Sequence, residues 1–417
     1  MIIIKFYRGP GKPLLYDSQY VNSMTLDSVS LKNRIIKSIS VAELFRVMGR
    51  SGIWIFLPVY MLLKFSNPYI YIVLGFVIPS LIEPFINLFG GNLIDKYGRR
   101  RLALLLPIMN FFIFLFLFFA IRYSLSIVFL EIPFIAVGPL ASLQATVDNV
   151  IISDVTHESE RLDSFSYIRI AANIGFSLGP TLAGFSIAIN YDYLPIIPML
   201  AEIITFIIYY TNVKETLAPH LKNSEKPLIS FPKDDKKFIF TAILVSLSFF
   251  SLGAWGYILA QFLSKGYSIN SFLVGLLFAT NGVVVSVFQI PTNRIFKRFT
   301  DGERIAIGLL IYSVTFFIIG LTRNYFILLI DIAILTIGEN VISPSTLTLI
   351  SKISPPERRG EYFGGYSLLN SVFSPIAPLF YESLLFRFLN APLLLWGIVA
   401  VLPFLTAILF IIFLRRV

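Results

Sequence analysis

Long apolar runs broken by short polar clusters divide the chain into twelve segments: 38–64, 69–93, 102–121, 126–152, 164–190, 194–213, 238–262, 270–296, 303–322, 325–350, 362–385 and 391–414. About 20 apolar residues suffice to cross roughly 30 Å of hydrocarbon, so each run predicts a membrane-spanning helix. The connections alternate between short, neutral ones and longer, basic ones. Residues 214–237 are the one long internal polar stretch, with six lysines and with Pro219, Pro227 and Pro232. This organisation reads as a tail over 1–37, a six-helix bundle over 38–213, a linker over 214–237 and a second six-helix bundle over 238–414.

Composition agrees with this pattern. The 417 residues are 56% hydrophobic and only 14% charged, with a mean hydropathy of +0.79, whereas soluble domains carry about a quarter charged residues. A secreted disulfide scaffold, a large soluble catalytic domain, a disordered chain and a nucleic-acid-binding protein are thereby excluded. With no cysteine, and with His157 and His220 in polar surroundings lacking ligand spacing, neither a metal site nor a cofactor is expected.

The net charge of +10 matters through its location. If the N-terminus is cytoplasmic, 26 of the 34 Lys and Arg residues fall in the tails and on the linker side. The opposite side holds only Lys64, Arg122, Lys265, Arg323 and Arg387, and Arg46, Arg50 and Arg169 lie within spans. The positive-inside rule then puts both termini in the cytoplasm of a multi-pass cell-membrane protein. No basic region followed by an apolar core opens the chain, so no signal peptide is expected, and Met24 is a second candidate start.

Sliding residues 152–180 by 198 positions pairs Ile152 with Ile350, Ser153 with Ser351, Arg161 with Arg359, Phe165 with Phe363 and Pro180 with Pro378, which points to an internal repeat. Between the second and third spans stands Gly91-Asn92-Leu93-Ile94-Asp95-Lys96-Tyr97-Gly98-Arg99-Arg100-Arg101. Gly98 permits a sharp reversal, and Asp95 suits the positive end of a neighbouring helix. This loop resembles the signature G-x-L-x-D-[RK]-x-G-[RK]-[RK] of the major facilitator superfamily, and the resemblance extends over the chain from about residue 38. It implies an all-α integral-membrane protein of about 12 transmembrane helices in two pseudo-symmetric bundles, the major facilitator fold. It also implies a latch of Gly91, Asp95, Gly98, Arg99 and Asp154 that holds the bundles together on the cytoplasmic side in the outward-facing state. The second half departs from the pattern, with Phe296 where the repeat would place the acid, so the latch is expected mainly on the first-half loop.

Gly175, Gly179, Pro180 and Gly184 in the fifth span resemble the G-x-x-x-G-P-x-x-G-G motif of the drug/proton antiporter branch, with the last glycine displaced by one. Small residues four apart allow close helix approach, and the proline allows bending during gating. Asn281, Gln289 and Pro291, and Gly338-Glu339 with Pro344, are similar to the matching spans of bacterial multidrug exporters.

A charge at mid-membrane costs about 2.5 to 3.5 kcal/mol on insertion scales and calls for a partner or a water-filled cavity. Arg50, Glu83, Glu202 and Glu339 lie near mid-span, and Arg46, Asp148 and Arg169 nearer an end. The resemblance makes helices 1, 4, 7 and 10 cavity-lining, which favours Arg50, Asp148 and Glu339 over Glu202. Glu43, Arg46 and Arg50 share one face of the first span, where Arg46 reads as an ion-pair residue capped by Glu43, and Arg50 as a partner of Glu83 or of substrate. Glu339 is either the proton-carrying carboxylate or a permanent salt-bridge partner. Asp148 is either a second such acid or, preferably, part of the latch. Glu83-Pro84 reads as a kink with a buried acid. Trp255, Tyr257 and Phe250 are the aromatic pocket candidates, with interfacial belt or packing as the plainer role.

The function expected from these features is secondary transport by alternating access: proton-coupled efflux of small hydrophobic or cationic molecules by a monomer in the lipid bilayer, with no nucleic-acid partner. The alternatives are a proton-coupled symporter for a sugar, organic acid or amino acid, in which Arg50 binds a substrate carboxylate, and an integral-membrane enzyme. No surface acid/base cluster supports the enzyme, no filter-like loop a channel, and no nucleotide-binding loop an ATP-driven pump.

Overall fold

The computed structural model describes residues 18–156, 158–216, 231–355 and 358–414. His157 and His220 fall outside the described residues. The long helices are α1 (Ser18–Lys64), α2 (Tyr69–Tyr97), α3 (Arg99–Arg122), α4 (Ile127–Val155), α5 (Glu158–Ile189) and α6 (Ile196–Asn212) in the first half. The second half holds α7 (Lys236–Leu252), α8 (Ala254–Tyr257), α9 (Leu259–Gln261), α10 (Ser271–Ile295), α11 (Asp301–Leu321), α12 (Tyr325–Ile353), α13 (Arg359–Phe373), α14 (Ile376–Phe388) and α15 (Pro392–Leu414). Eleven segments among the described residues are long and apolar enough to cross a membrane. The remaining crossing, the eleventh in chain order, is shared by α13 and α14.

Three departures from the expected elements have physical causes. Helix α1 starts at Ser18, inside the stretch read as a tail, because no Gly or Pro interrupts the chain between there and Gly49, and Ile35, Ile36 and Ile39 give it a buried face. The seventh crossing breaks around Gly253, restarts as α8 and α9, and ends in a π-helical turn, Phe262–Gly266. Glycine is a poor helix former. The eleventh crossing breaks at Ser374-Pro375, where proline both lacks a donor and clashes with the preceding turn.

The repeat is visible in the elements. Helices α4 and α12 are both 29 residues long and lie 198 positions apart at each end. In the first half α1 packs on α5 and α6, α2 on α4, and α3 on α4 and α6. In the second α11 packs on α12 and α15, and α10 on α12. Trp396, fully buried on α15 against Phe262 and Phe316, anchors the second group.

The two groups meet at the end farther from the linker. There Tyr69 packs on Phe386 (4.9 Å), Phe185 on Phe272 (6.2 Å) and Phe76 on Tyr257 (5.1 Å). Lys265 Nζ donates to the Leu62 carbonyl (2.8 Å), and Thr181 Oγ1 to the Gly275 carbonyl (3.2 Å). Helices α5 and α10 approach backbone to backbone. A Cβ on Gly184 would lie 2.4 Å from the Ser271 oxygen, and one on Gly275 2.4 Å from the Pro180 oxygen. Toward the linker end the facing residues of these helices, Arg169 and Asn173 on α5 and Val285 and Gln289 on α10, line a common space between the two groups.

The α7–α13 contact carries a pH-sensitive tie. Asp235 caps α7 by accepting from Phe238 N (2.9 Å) and accepts from Tyr362 Oη (2.7 Å). The Phe238 N–H first, and the Tyr362 hydroxyl second, hold its carboxyl below the usual carboxylate range. Because the folded pKa is the lower one, this stabilisation is complete above the ordinary carboxylate pKa of about 4 and fades as pH falls through the depressed value. Thermal melting of Asp235→Asn should therefore lose part of the parent's destabilisation on acidification below that range. Equal acid sensitivity in both proteins would disprove the tie.

At Gly282 a Cβ would meet Ser177 Oγ at 1.4 Å and Ser177 Cβ at 2.4 Å. Gly282→Leu is expected to pry the closed end apart. Cysteines at positions 185 and 272, in a chain otherwise free of cysteine, should cross-link in the parent and not in Gly282→Leu. Undiminished cross-linking would contradict this packing.

Candidate functional site: a charged cavity between the two halves

Three adjoining lobes form one central cavity. The first, about 360 Å³, is lined by Trp54, Phe250, Gly253, Trp255, Tyr257 and Glu339 among others. The second, about 330 Å³, holds Arg50, Trp54, Glu83, Phe134, Gly138 and Ala141. The third, about 370 Å³, holds Glu43, Arg50, Arg169, Asn281, Gln289 and Glu339. Trp54 joins the first two lobes, Arg50 the second and third, and Trp255 with Glu339 the first and third. The cavity therefore spans both halves, is walled by indoles and phenyl rings, and carries charges of both signs.

The backbone breaks of the seventh and eleventh crossings at Gly253 and Ser374 line the first lobe. Irregular backbone at membrane depth persists only where it faces a cavity or is buried in protein. Trp255, Tyr257 and Phe250 all reach this lobe, and Trp255 packs on Phe278 at 4.6 Å.

Glu339, on α12, accepts a hydrogen bond from Asn281 Nδ2 (2.8 Å), and Asn281 also donates to Thr336 Oγ1 (3.0 Å). No cation lies within ion-pair distance of Glu339 among the described residues, although Arg169 lines the same lobe. Asn281 stands 198 positions after Glu83, so the two occupy matching places in the repeat, each facing the central helix of its half. Glu83 lies close to Gly138, where a Cβ would come within 2.7 Å of its Oε1. Arg50 and Glu83 share the second lobe without forming an ion pair, so the expected Arg50–Glu83 bridge is replaced by two charges open to the cavity. Glu202 is buried on α6 beside Asn110, away from the three lobes.

Arg46 and Asp148 have a different setting. Arg46 pairs with Glu43 and with Asp148 (2.5 Å), and donates to Tyr209 Oη (2.6 Å). Asp148 also accepts from Tyr209 Oη (2.8 Å) and from Gln144 Nε2 (3.1 Å). This buried network ties α1, α4 and α6 together. Asp148 therefore does not join the cluster around Asp154, as the sequence suggested: α4 turns its side chain inward, two turns before the helix end. Tyr209 carries no sequence signal for this role, being one tyrosine among 20.

At the linker end, Gly98 adopts φ +91° and is followed at once by α3. Arg99 Nε donates to Asp154 Oδ2 (3.2 Å), which also accepts from Thr216 Oγ1 (2.7 Å). Glu215 accepts from the backbone N–H groups of Arg99 (3.1 Å) and Arg100 (3.2 Å), satisfying two free donors at the start of α3. A Cβ on Gly98 would lie 2.7 Å from that carboxylate. Gly91 and the Asp95 side chain, in the last turns of α2, lie outside what the structure describes. Among the described residues the Arg99–Asp154 pair joins α3 to α4, within the first half. The second half carries its counterpart with the charges exchanged: Asp301 at the start of α11 pairs with Lys352 (2.6 Å) near the end of α12. Lys352 is 198 positions after Asp154. Glu215 was not identifiable beforehand, because it opens a stretch that reads as linker.

In the fifth span, Gly175 and Gly179 face α1, where a Cβ would lie 2.4 Å from the Leu44 oxygen and 2.2 Å from the Met48 oxygen. Gly184 faces α10. Helix α5 passes Pro180 unbroken.

Removing one partner from a buried ion pair costs about 3 to 5 kcal/mol, whereas an apolar replacement of both is often near neutral. Arg46→Ala should therefore lower the melting temperature sharply in detergent, and the pair Arg46→Met with Asp148→Leu should recover most of the loss. Equal melting of Arg46→Ala and the parent would show that the network contributes nothing.

The Major Facilitator Superfamily model matches residues 39–299 and 241–417. The chain is 24% identical over 383 residues to a Na(+), Li(+), K(+)/H(+) antiporter of Planococcus maritimus, covering 83% of this chain and 88% of the relative. It is 24% identical over 319 residues to the quinolone resistance protein NorA of Staphylococcus aureus, covering 75% and 80%. Among solved structures, a bacterial homologue of the iron transporter ferroportin in an inward-facing state superposes with TM-score 0.70 at 17% identity, over 90% of this chain and 98% of that one. The nucleoside transporter NupG gives 0.75 at 12%, over 91% and 98%. Signature loop, internal repeat, two groups of helices around one cavity and the matched family model agree, and the chain belongs to the Major Facilitator Superfamily.

Proposed function

We propose that the protein is a proton-coupled exporter of small hydrophobic, cationic molecules, working as a monomer in the cell membrane with both termini in the cytoplasm. The observation that carries this reading is Glu339. It is a carboxylate in an aromatic-walled cavity between the halves, held by an amide and, among the described residues, with no cation at ion-pair distance. Such a group is neutralised in turn by a proton or by a cationic substrate, and that competition is the basis of antiport. With the linker side cytoplasmic, the conformation is inward-facing, open to take substrate from the cell. Trp54, Trp255 and Tyr257 supply flat apolar faces for an organic cation. The relatives named as a cation/proton antiporter and a quinolone resistance protein support exchange in the export direction.

A second reading follows from Arg50, a cation at the junction of two lobes with no ion pair among the described residues. An anionic substrate, such as an organic acid or amino acid taken up with a proton, would bind there.

Dye flux in proteoliposomes under an imposed pH gradient separates the readings. A hydrophobic cationic dye should move against the proton flow in the parent and stop moving in Glu339→Gln. Unchanged gradient-driven exchange in Glu339→Gln would remove this carboxylate from coupling. Absence of dye movement in both, with proton-driven uptake of a carboxylate solute that Arg50→Gln abolishes, would establish the symporter.

A further inference from the structure

Beyond the cavity, the end that is closed in this conformation conceals a second acid. Glu382 on α14 is fully buried, at 0% exposure. Its Oε1 accepts from Gln261 Nε2 (2.6 Å), and its Oε2 has no hydrogen-bond partner among the described residues. Gln261 belongs to α9, in the broken part of the seventh crossing, and its amide also donates to the Tyr257 carbonyl (2.8 Å). Tyr257 lines the cavity and stands within electrostatic reach of both Glu382 and Glu83, so it separates one acid of each half. Next on α14 comes Phe386, which packs on Tyr69 of α2 across the junction between the halves. Glu382 therefore sits one helical turn behind a contact that must part when this end opens.

Other charged and titratable groups around it are accounted for. Lys265, at the end of the seventh crossing, is engaged with the Leu62 carbonyl. Arg387, on α14 itself, lies over the Phe388 ring. Tyr381 donates to the Phe250 and Ser251 carbonyls, and α15 has no titratable residue. Glu131 and Asp331 are also buried with unpartnered oxygens, but only Glu382 is joined to the broken crossing and neighbours the junction.

We propose that Glu382 is a second proton-binding site, separate from Glu339, which must hold a proton for the far end of the transporter to close. An ionised carboxylate that is dry, unpaired and half-satisfied is strongly disfavoured, whereas the same group in water is not. Opening the junction between α14 and α2 admits water and lets the proton leave, and closing it requires the proton back. Proton uptake from the far side thus favours the conformation open toward the linker end, and the amide of Gln261 transmits the state of Glu382 to the backbone break beside the cavity. This rests on the proton-coupled reading above for its role in transport, but the site itself is tested independently.

The test uses the full chain in nanodiscs, with a spin-label pair on cysteines at Asn67 and Asn390, both exposed and on opposite sides of the junction. In the parent the distance distribution is expected to shift from short to long as pH rises from acidic to alkaline. Glu382→Gln should lose this shift and stay short throughout, while Glu382→Asp restores it. A parent distance that ignores pH, or a Glu382→Gln protein that opens as the parent does, overturns the proposal. Loss of dye exchange in Glu339→Gln is read separately, so either conclusion can fail without the other.

Discussion

Hydrocarbon offers a peptide group no hydrogen-bond partner, and the architecture of this protein follows from that constraint. Every membrane crossing among the described residues is helical because only a helix satisfies its own backbone. The same constraint dictates where regular structure can stop. The seventh crossing gives way at Gly253 and the eleventh at Ser374, and both positions border the central cavity, where water or substrate can reach the freed groups. Breaks in the helices and the binding cavity are therefore two aspects of one requirement.

Association of helices in lipid gains nothing from hydrophobic transfer between them, so it relies on close packing. At the closed end this takes the form of glycine set against backbone, on both α5 and α10, with rings filling the remaining gaps at Tyr69, Phe76, Phe185 and their partners. Such an interface is shallow and largely without polar ties. It can part as a unit, which suits a transporter that must open each end in turn. The stronger ties stay inside each half: the Arg46 network joins three helices of the first, and the exchanged pairs Arg99–Asp154 and Asp301–Lys352 fasten corresponding helix ends in each.

Membrane-embedded charges sort by whether a partner meets them. Arg46 and Asp148 neutralise each other and act as structure. Arg50, Glu83 and Glu339 have no ion-pair partner among the described residues and border a cavity. A charge that the fold does not neutralise calls for a partner or a water-filled cavity.

Much of this was legible in the chain. Lengths of apolar runs, the bias of basic loops and the offset of 198 positions are properties of the sequence read in order, and they alone determined the crossings, the two related halves, the signature turn at Gly98 and the aromatic candidates at Trp255 and Tyr257. What they could not convey is how each helix is rotated about its axis. That rotation depends on contacts between residues far apart, such as Arg46 with Asp148, 102 positions away, and with Tyr209, 163 away. It decided that Asp148 is structural, that Arg50 and Glu83 stay apart, that Glu215 caps α3 and that Glu382 is buried behind the junction. Periodicity specifies which residues enter the membrane, but only packing in three dimensions decides which neighbours they meet there.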